Sequence, residues 1–336
     1  MEAVFLIPTL NRPNDLRVTL ENILPLLDDN LGLVLVDDAS TDAEHQKLIR
    51  RIQSESKYVS VVRLAHRHGC TRARKHVLNE LDVPFVIMLD DDSHPATTAK
   101  ADIEAILNRF RADPSLAAQA LPCFIPRRHN SLRDVVEKVY DGRFVGSFIN
   151  CACAIRTSAY HEVGGYAEEY ESPYGEERDL SIRLLDKGWT IRQYNSPAII
   201  HQQTLVSRNA VQNARGNAVN YLRFIWWYHP SWIAIPFAVS TIVKLIGHGL
   251  KRDQSLKGTL LGFADFIREF RGVRKRKPVR ASTLKLFYGL KSRTLTHPDE
   301  LVALGRMPWY KIVFGARVQY TEQESIVSAR AVGQSV

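Results

Sequence analysis

Short apolar runs alternate with segments of helical spacing over the first two hundred residues. The runs at 3–7, 31–36, 59–64 and 83–89 are rich in Val, Ile, Leu and Phe, and most show no polar alternation. Such runs predict strands buried on both faces, as in parallel sheets. Between them, 14–27, 42–54 and 69–81 predict helices. Further along, helices are expected at 97–111, 157–163 and 176–187, with Gly188 as a stop. Strands are expected at 117–122, 146–155, 191–194 and 198–200. The alternation predicts an α/β fold with a mostly parallel, doubly wound sheet flanked by helices.

Polar motifs follow the strands. Pro8-Thr9-Leu10-Asn11-Arg12 follows the first, Asp37-Asp38-Ala39-Ser40 the second and Asp90-Asp91-Asp92 the fourth. The motifs would thus share the carboxyl edge of the sheet, where ligands bind in open α/β folds. Adjacent carboxylates ~4 Å apart repel by roughly 1 kcal/mol in water and more when partly buried. A hard cation relieves this, and Mg²⁺ or Mn²⁺ suits carboxylate oxygens and is commonly shared with substrate phosphates. An acidic turn or helix N-cap is the plainer alternative. Asp37 and Asp38 are placed for ribose hydroxyls or a base edge, alongside helix capping by Ser40 or Asp42.

Two further clusters carry chemistry. Gly69 opens a basic helix containing Arg72 and Lys75. A helix N-terminus attracts anions, so these residues suit phosphate, although an ordinary basic helix face explains them equally. Glu176, Glu177 and Asp179 lie at the start of a helix after Gly164-Gly165-Tyr166 and Tyr174-Gly175. The helix dipole stabilises charge there by about 0.3–1 kcal/mol. A carboxylate so held can serve as a general base, and taken alone the cluster is explained by charge complementation. His201 ends the last strand, where a neutral imidazole would complete a metal site.

The length of 336 residues allows one large domain or two. The opening residues do not form a secretory signal. Four cysteines give neither a disulfide framework nor a paired zinc motif, which fits a reducing cytoplasm. Cys151-x-Cys153 on a strand would point both thiols to one face of the core. The net charge of +9 is divided unevenly: residues 205–336 hold 21 Lys+Arg against 7 Asp+Glu, and the preceding 204 hold 24 against 29. A catalytic region over 1–205 and a basic, aromatic helical region over 206–336 are therefore expected. In the latter, a helix over 207–227 leads to Trp226, Trp227, Tyr228 and Trp232, then to an apolar stretch at 233–246. The stretch falls short of the ~20 residues of a spanning helix unless Trp232 and His248 sit at the two interfaces. The aromatics and the run Arg271-Gly272-Val273-Arg274-Lys275-Arg276-Lys277 suit an anionic membrane surface. A core helix with a solvated tail is the alternative. Nucleic acid is not expected, since no recognised motif accompanies the charge.

Taken in order and spacing, these motifs over 1–205 resemble glycosyltransferase family 2. The resemblance implies a GT-A fold, a nucleotide-diphosphate sugar donor, a divalent metal and inversion at the anomeric carbon. It implies nucleotide contacts from Thr9, Asn11, Arg12 and Asp38; Pro8 and Asp37 are expected beside them, and Gly69, Arg72 and Lys75 are expected at phosphate from their place at the helix start. Asp90 and Asp92 take the two ends of a DxD motif, with Asp92 on the metal and Asp90 or Asp91 on the ribose or a metal-bound water. His201 resembles a histidine that completes the metal shell. Many members read Gly-Glu-Asp where this chain has Gly175-Glu176-Glu177, which puts Glu177 at the base position with Glu176 and Asp179 as rivals. Many also have Arg-Asn where this chain has Arg74-Lys75. The implied acceptor is a lipid-linked sugar or polysaccharide at the inner face of the cytoplasmic membrane. A nucleotidyl- or phosphotransferase and a non-catalytic scaffold are the rival readings. The first lacks a P-loop and a nucleophile beside a base.

Overall fold

A computed structural model describes residues 1–170, 175–203, 209–250, 255–271 and 276–313. Its first half runs β1 (Ala3–Thr9), α1 (Pro13–Ile23), β2 (Leu31–Asp37), α2 (Ala43–Glu55), β3 (Val59–Arg63), α3 (Cys70–Leu78), β4 (Phe85–Met88), β5 (Ser93–Pro95) and α4 (Lys100–Ala112). Next come β6 (Leu116–Ala120), β7 (Cys123–Phe124), α5 (Leu132–Val136), β8 (Arg143–Phe144), β9 (Cys153–Arg156), α6 (Thr157–Glu162), α7 (Glu176–Lys187), β10 (Thr190–Gln193) and β11 (Ile199–His201). The remainder is helical: α8 (Ala210–Tyr228), α9 (Ser231–Gly249), α10 (Leu256–Arg271), α11 (Ala281–Gly289), α12 (Pro298–Arg306) and α13 (Trp309–Val313).

Eight strands form the main sheet in the order β3-β2-β1-β4-β9-β6-β10-β8. β3, β2, β1 and β4 are parallel, as are β6 and β10. β9 runs antiparallel between β4 and β6, and β8 antiparallel to β10. All seven residues of β1 and of β2 are buried. Their side chains still alternate: Ala3, Phe5 and Ile7 pack under α1, α2 and α4, while Val4 and Leu6 face the opposite core. A second sheet, β5-β11-β7, caps the carboxyl edge.

The expected strand over 146–155 is only β9. Gly146 lies so close to α11 that an added Cβ would sit 2.6 Å from the Phe287 carbonyl, and Asn150–Ala152 is a 3-10 turn. Cys151 and Cys153 are both buried, as expected, but do not share a strand face. Cys151 Sγ lies 3.4 Å from His201 Nδ1, whereas the Cys153 thiol donates to the Asn150 carbonyl.

The helices beyond residue 205 share the core of the sheet. Phe224, Ile225, Tyr228, Val279, Leu284 and Phe287 join the same buried cluster as Val4 and Leu6. Full burial of a phenylalanine contributes about 1.5–3 kcal/mol. The expected aromatic anchor at 226–228 is therefore mostly packing: Tyr228 is buried, Trp227 packs on the core, and Arg276 stacks over Trp226 at 4.1 Å. Trp232 does stay exposed, with Ile235, Val239 and Val243 along α9. By length and composition α9 is able to cross a membrane, and only 22% of it is buried. Within the basic run, residues 272–275 lie outside the described residues.

α10 packs on α8 through glycines. A Cβ at Gly258 would meet the Val211 carbonyl at 2.3 Å, and one at Gly262 the Arg215 carbonyl at 2.4 Å. Gly247 on α9 has nothing within 4 Å of that position. Gly262→Val is expected to destabilise the protein by about 1–3 kcal/mol through overpacking. Gly247→Ala is expected to stabilise it by about 0.5–1 kcal/mol through helix propensity. Denaturant melts of the two variants check the pair.

Candidate active site

β4 delivers the three aspartates into a turn closed by Ser93, whose hydroxyl accepts from Asp90 N at 2.8 Å. The carboxylates then diverge. Asp91 turns inward, is 3% exposed, and accepts from Thr9 Oγ1 at 2.9 Å and from Arg12. Burial pushes its carboxyl up to about 7, against the opposing pull of Arg12. Asp92 is 2% exposed, with Arg12 Nη2 at 2.9 Å. Asp90 is one-third exposed and pairs with Arg74 from α3. Arg74 is fully buried and also donates to the Leu89 carbonyl. Arg12 thus pairs with both Asp91 and Asp92, and Arg74 with Asp90, which offsets repulsion that the turn alone would suffer.

His201 reaches this turn because β11 pairs antiparallel with β5, placing it opposite Ser93. Its Nε2 lies 3.2 Å from Asp92 Oδ1 and 3.8 Å from Asp90 Oδ2. That nitrogen is buried, yet the contact to Asp92 is not aligned as a hydrogen bond. Ligand atoms of Asp90, Asp92 and His201 all fall within 4.8 Å of one another. Burial disfavours charge on the imidazole, but Asp92, Cys151 and Asp90 outweigh it and push its pKa up to about 10. Two carboxylates and an imidazole nitrogen with no aligned partner fit a divalent cation: the carboxylate oxygens suit Mn²⁺ or Mg²⁺, and the imidazole favours the transition metal of the two.

The residues expected to meet the nucleotide also build the loops around it. Asn11, at φ 53°, accepts from Thr41 N at 2.8 Å and Asp42 N at 2.9 Å, tying the turn after β1 to the turn after β2. Pro8 and Thr9 are buried within β1. Asp37 accepts from Ser40 N and Arg63, and Asp38 accepts from His68 N at 2.7 Å and Gly69 N at 2.8 Å. Gly69, at φ 85°, then starts α3. Arg72 and Lys75 do not converge on the aspartates. Arg72 donates to the Glu168 carbonyl and Lys75 pairs with the Glu168 carboxylate at 2.9 Å, so both clasp the loop before α7. The charge that reaches the aspartates from α3 is Arg74, one position from Lys75. Helical spacing from Thr71, Val77 and Leu78 marks 74 as the buried face. His45, fully buried, accepts from Arg12 N and was not apparent from sequence.

The three acidic residues of α7 have different settings. Gly175, at φ 106°, opens the helix in the left-handed region, which favours glycine. Glu176 is 2% exposed and its Oε1 accepts from Thr71 Oγ1 at 3.3 Å and Asn150 Nδ2 at 3.1 Å. Tyr166 donates in turn to Asn150 Oδ1. Burial first, and Glu177 second, push the Glu176 carboxyl up to about 8. Asp179 is completely buried and occupied by Arg183 and Tyr228. Glu177 is half-buried. Arg74 acts electrostatically on Asp90 and Glu176 together, linking the two acidic clusters. Asn150, Tyr166 and Thr71 carry no sequence signal of this role, since their partners are remote in the chain.

No curated protein matches this sequence. Among solved structures, the mannosyltransferase PcManGT from Pyrobaculum calidifontis, in complex with GDP-Man and Mn²⁺, is similar with a TM-score of 0.54 at 16% identity, over 79% of this chain and 87% of that one. GalNAc-T7 with UDP, GalNAc and Mn²⁺ gives 0.55 at 16%, over 80% of this chain and 57% of that one. S. aureus TarS 1-349 in complex with UDP-GlcNAc gives 0.56 at 13%, over 91% and 90%. At such identities the likeness establishes a fold, that of GT-A glycosyltransferases. Residues 4–167, just under half of the chain, match the family described as Glycosyl transferase family 2.

Proposed function

We propose that this protein is an inverting, metal-assisted glycosyltransferase that moves a sugar from a nucleotide-diphosphate donor to an acceptor hydroxyl. The observation that carries the reading is the convergence of Asp90, Asp92 and the buried His201 Nε2 at the carboxyl edge of the sheet. The fold neighbours with GDP-Man, UDP-GlcNAc and Mn²⁺ support it. A divalent ion held there supplies positive charge to the leaving diphosphate. Arg12 and Arg74 pair with the aspartates and aim them. Asp38 and Asn11 hold the nucleotide loops, and Gly69 lets backbone approach phosphate.

Glu177 is the proposed base. Asp179 has both oxygens engaged by Arg183 and Tyr228. Glu176, with its carboxyl at about 8, is neutral at pH 7 and holds its proton, so it positions Asn150 and Thr71. Glu177 alone of the three is half-open and unburdened by such contacts among the described residues.

The proposal includes attachment at the cytoplasmic face of the membrane, where lipid-linked sugars or a growing polysaccharide would be acceptors. Trp232, Ile235, Val239 and Val243 recur at helical spacing on one exposed face of α9. With a net +14 beyond residue 204, this surface suits anionic lipid.

Three outcomes follow. Glu177→Gln should lower transfer by roughly 10²–10⁴-fold while nucleotide affinity is unchanged, and retained turnover would overturn the base assignment. Glu176 has a folded pKa raised from 4.5 to about 8, so its proton stabilises the folded state and that stabilisation is lost as pH rises through this window. Glu176→Gln cannot ionise, so melts of variant and parent between pH 5 and 9 should diverge with rising pH and level off above about 8. A constant gap would contradict this. Finally, sedimentation with phosphatidylglycerol vesicles should pull down the parent protein, and Trp232→Ser with Val239→Ser should release it. Equal recovery of both would argue against α9 as the contact.

A further inference from the structure

We propose that Cys123, Cys151 and His201 form a second cation site, suited to a thiophilic divalent ion such as Zn²⁺, which shares the His201 imidazole with the Asp90–Asp92 site. The two sites lie back to back across one ring. Nε2 faces the carboxylates, and Nδ1 faces sulfur, with Cys151 Sγ at 3.4 Å. The two sulfurs and the imidazole offer ligand atoms that all lie within 4.8 Å of one another. Zinc bonds of about 2.3 Å to sulfur and 2.0–2.1 Å to nitrogen, at a tetrahedral angle, put sulfur and nitrogen about 3.6 Å apart. The observed separation needs only a small adjustment.

Three separate elements build this cluster. β7 pairs parallel with β11, with Cys123 opposite Ile199, and so places Cys123 across the ladder two residues from His201. The 3-10 turn Asn150–Ala152 carries Cys151 under the ring. Cys151 and His201 are buried, whereas Cys123 is half-buried on a short edge strand, which gives an ion a path from solvent. All four cysteines are free thiols. Three protein ligands leave one tetrahedral position for water. Thiolates select soft ions such as zinc, and carboxylates select Mg²⁺ or Mn²⁺, so the two faces of His201 differ in preference.

Sharing one ring makes occupancy antagonistic. A neutral imidazole has one proton to place. When Nδ1 holds a cation, the proton sits on Nε2, which then donates to Asp92 and withdraws from the carboxylate site. A thiophilic ion would thereby turn off the Mn²⁺ site without touching the nucleotide loops. This consequence rests on the reading of Asp90, Asp92 and His201 as a hard cation site, whereas the sulfur site itself does not.

Co²⁺ added to the reduced protein is the probe. A thiolate-to-cobalt charge-transfer band with tetrahedral d–d absorption is expected in the parent and in Asp92→Asn. Both signals should vanish in Cys123→Ser and Cys151→Ser. Absence of the band in the parent, or its persistence in both serine variants, would overturn the site. In parallel, electron paramagnetic resonance of free Mn²⁺ measures the hard site. One equivalent of Zn²⁺ should weaken Mn²⁺ binding roughly 10–100-fold in the parent, the range for altering the partner of a metal-binding histidine. In Cys123→Ser, Zn²⁺ should have no such effect while Mn²⁺ still binds, which also shows that the variant is folded. Equal weakening in both proteins would refute the antagonism. Thiolate bands without any Mn²⁺ binding would refute the hard site and the antagonism built on it, and uphold the sulfur site.

Discussion

Three adjacent carboxylates at the end of one buried strand set the constraint on which this structure depends. Left in one direction they would repel strongly in a partly buried setting. The fold sends them three ways. Asp91 goes back to Arg12 and Thr9, Asp90 goes across to Arg74, and Asp92 sits between Arg12 and His201. Removing Arg12 would take the ion pair from the buried Asp91, which costs far more than a surface ion pair contributes.

That arrangement explains much of the surrounding architecture. α3 must dock so that Arg74 points inward, and Asp38 fixes its start by accepting from His68 and Gly69. β5 and β11 must pair so that His201 reaches the turn. α7 follows from α3, because Thr71 meets Glu176, and α8 follows from α7, because Tyr228 meets Asp179. The basic helical region is thereby keyed into the catalytic core through a buried polar contact as well as through Phe224 and Phe287. The outer face of α9 is left apolar and exposed.

The sequence shows some of this plainly. β1, β2 and β4 are legible because strands buried on both faces have no polar alternation. α7 is legible to the residue because Gly175 and Gly188, both left-handed, bracket it. The Asp90-Asp91-Asp92 turn and His201 are legible as polar residues stranded at the ends of apolar runs. What is not legible depends on contacts remote in the chain. Nothing local distinguishes Arg74 from Arg72 until the helix face is counted. Nothing near Asn150 announces that it bridges Tyr166 and Glu176, or that the segment before β9 breaks into a 3-10 turn. Trp226 and Trp227 look like surface anchors in sequence, but Arg276 and the core claim them.

The most direct measurement is thermal stability against UDP, GDP, dTDP and CDP, each with Mn²⁺ and with a chelator, for the parent protein and for Asp92→Asn. A ligand that binds only the folded state raises the melting temperature, the more so the further its concentration exceeds its Kd. A rise with one nucleotide that requires Mn²⁺ and disappears in Asp92→Asn is expected. A rise that is the same with chelator, or that survives in Asp92→Asn, would contradict the assignment of Asp90, Asp92 and His201 as the cation site that anchors the donor.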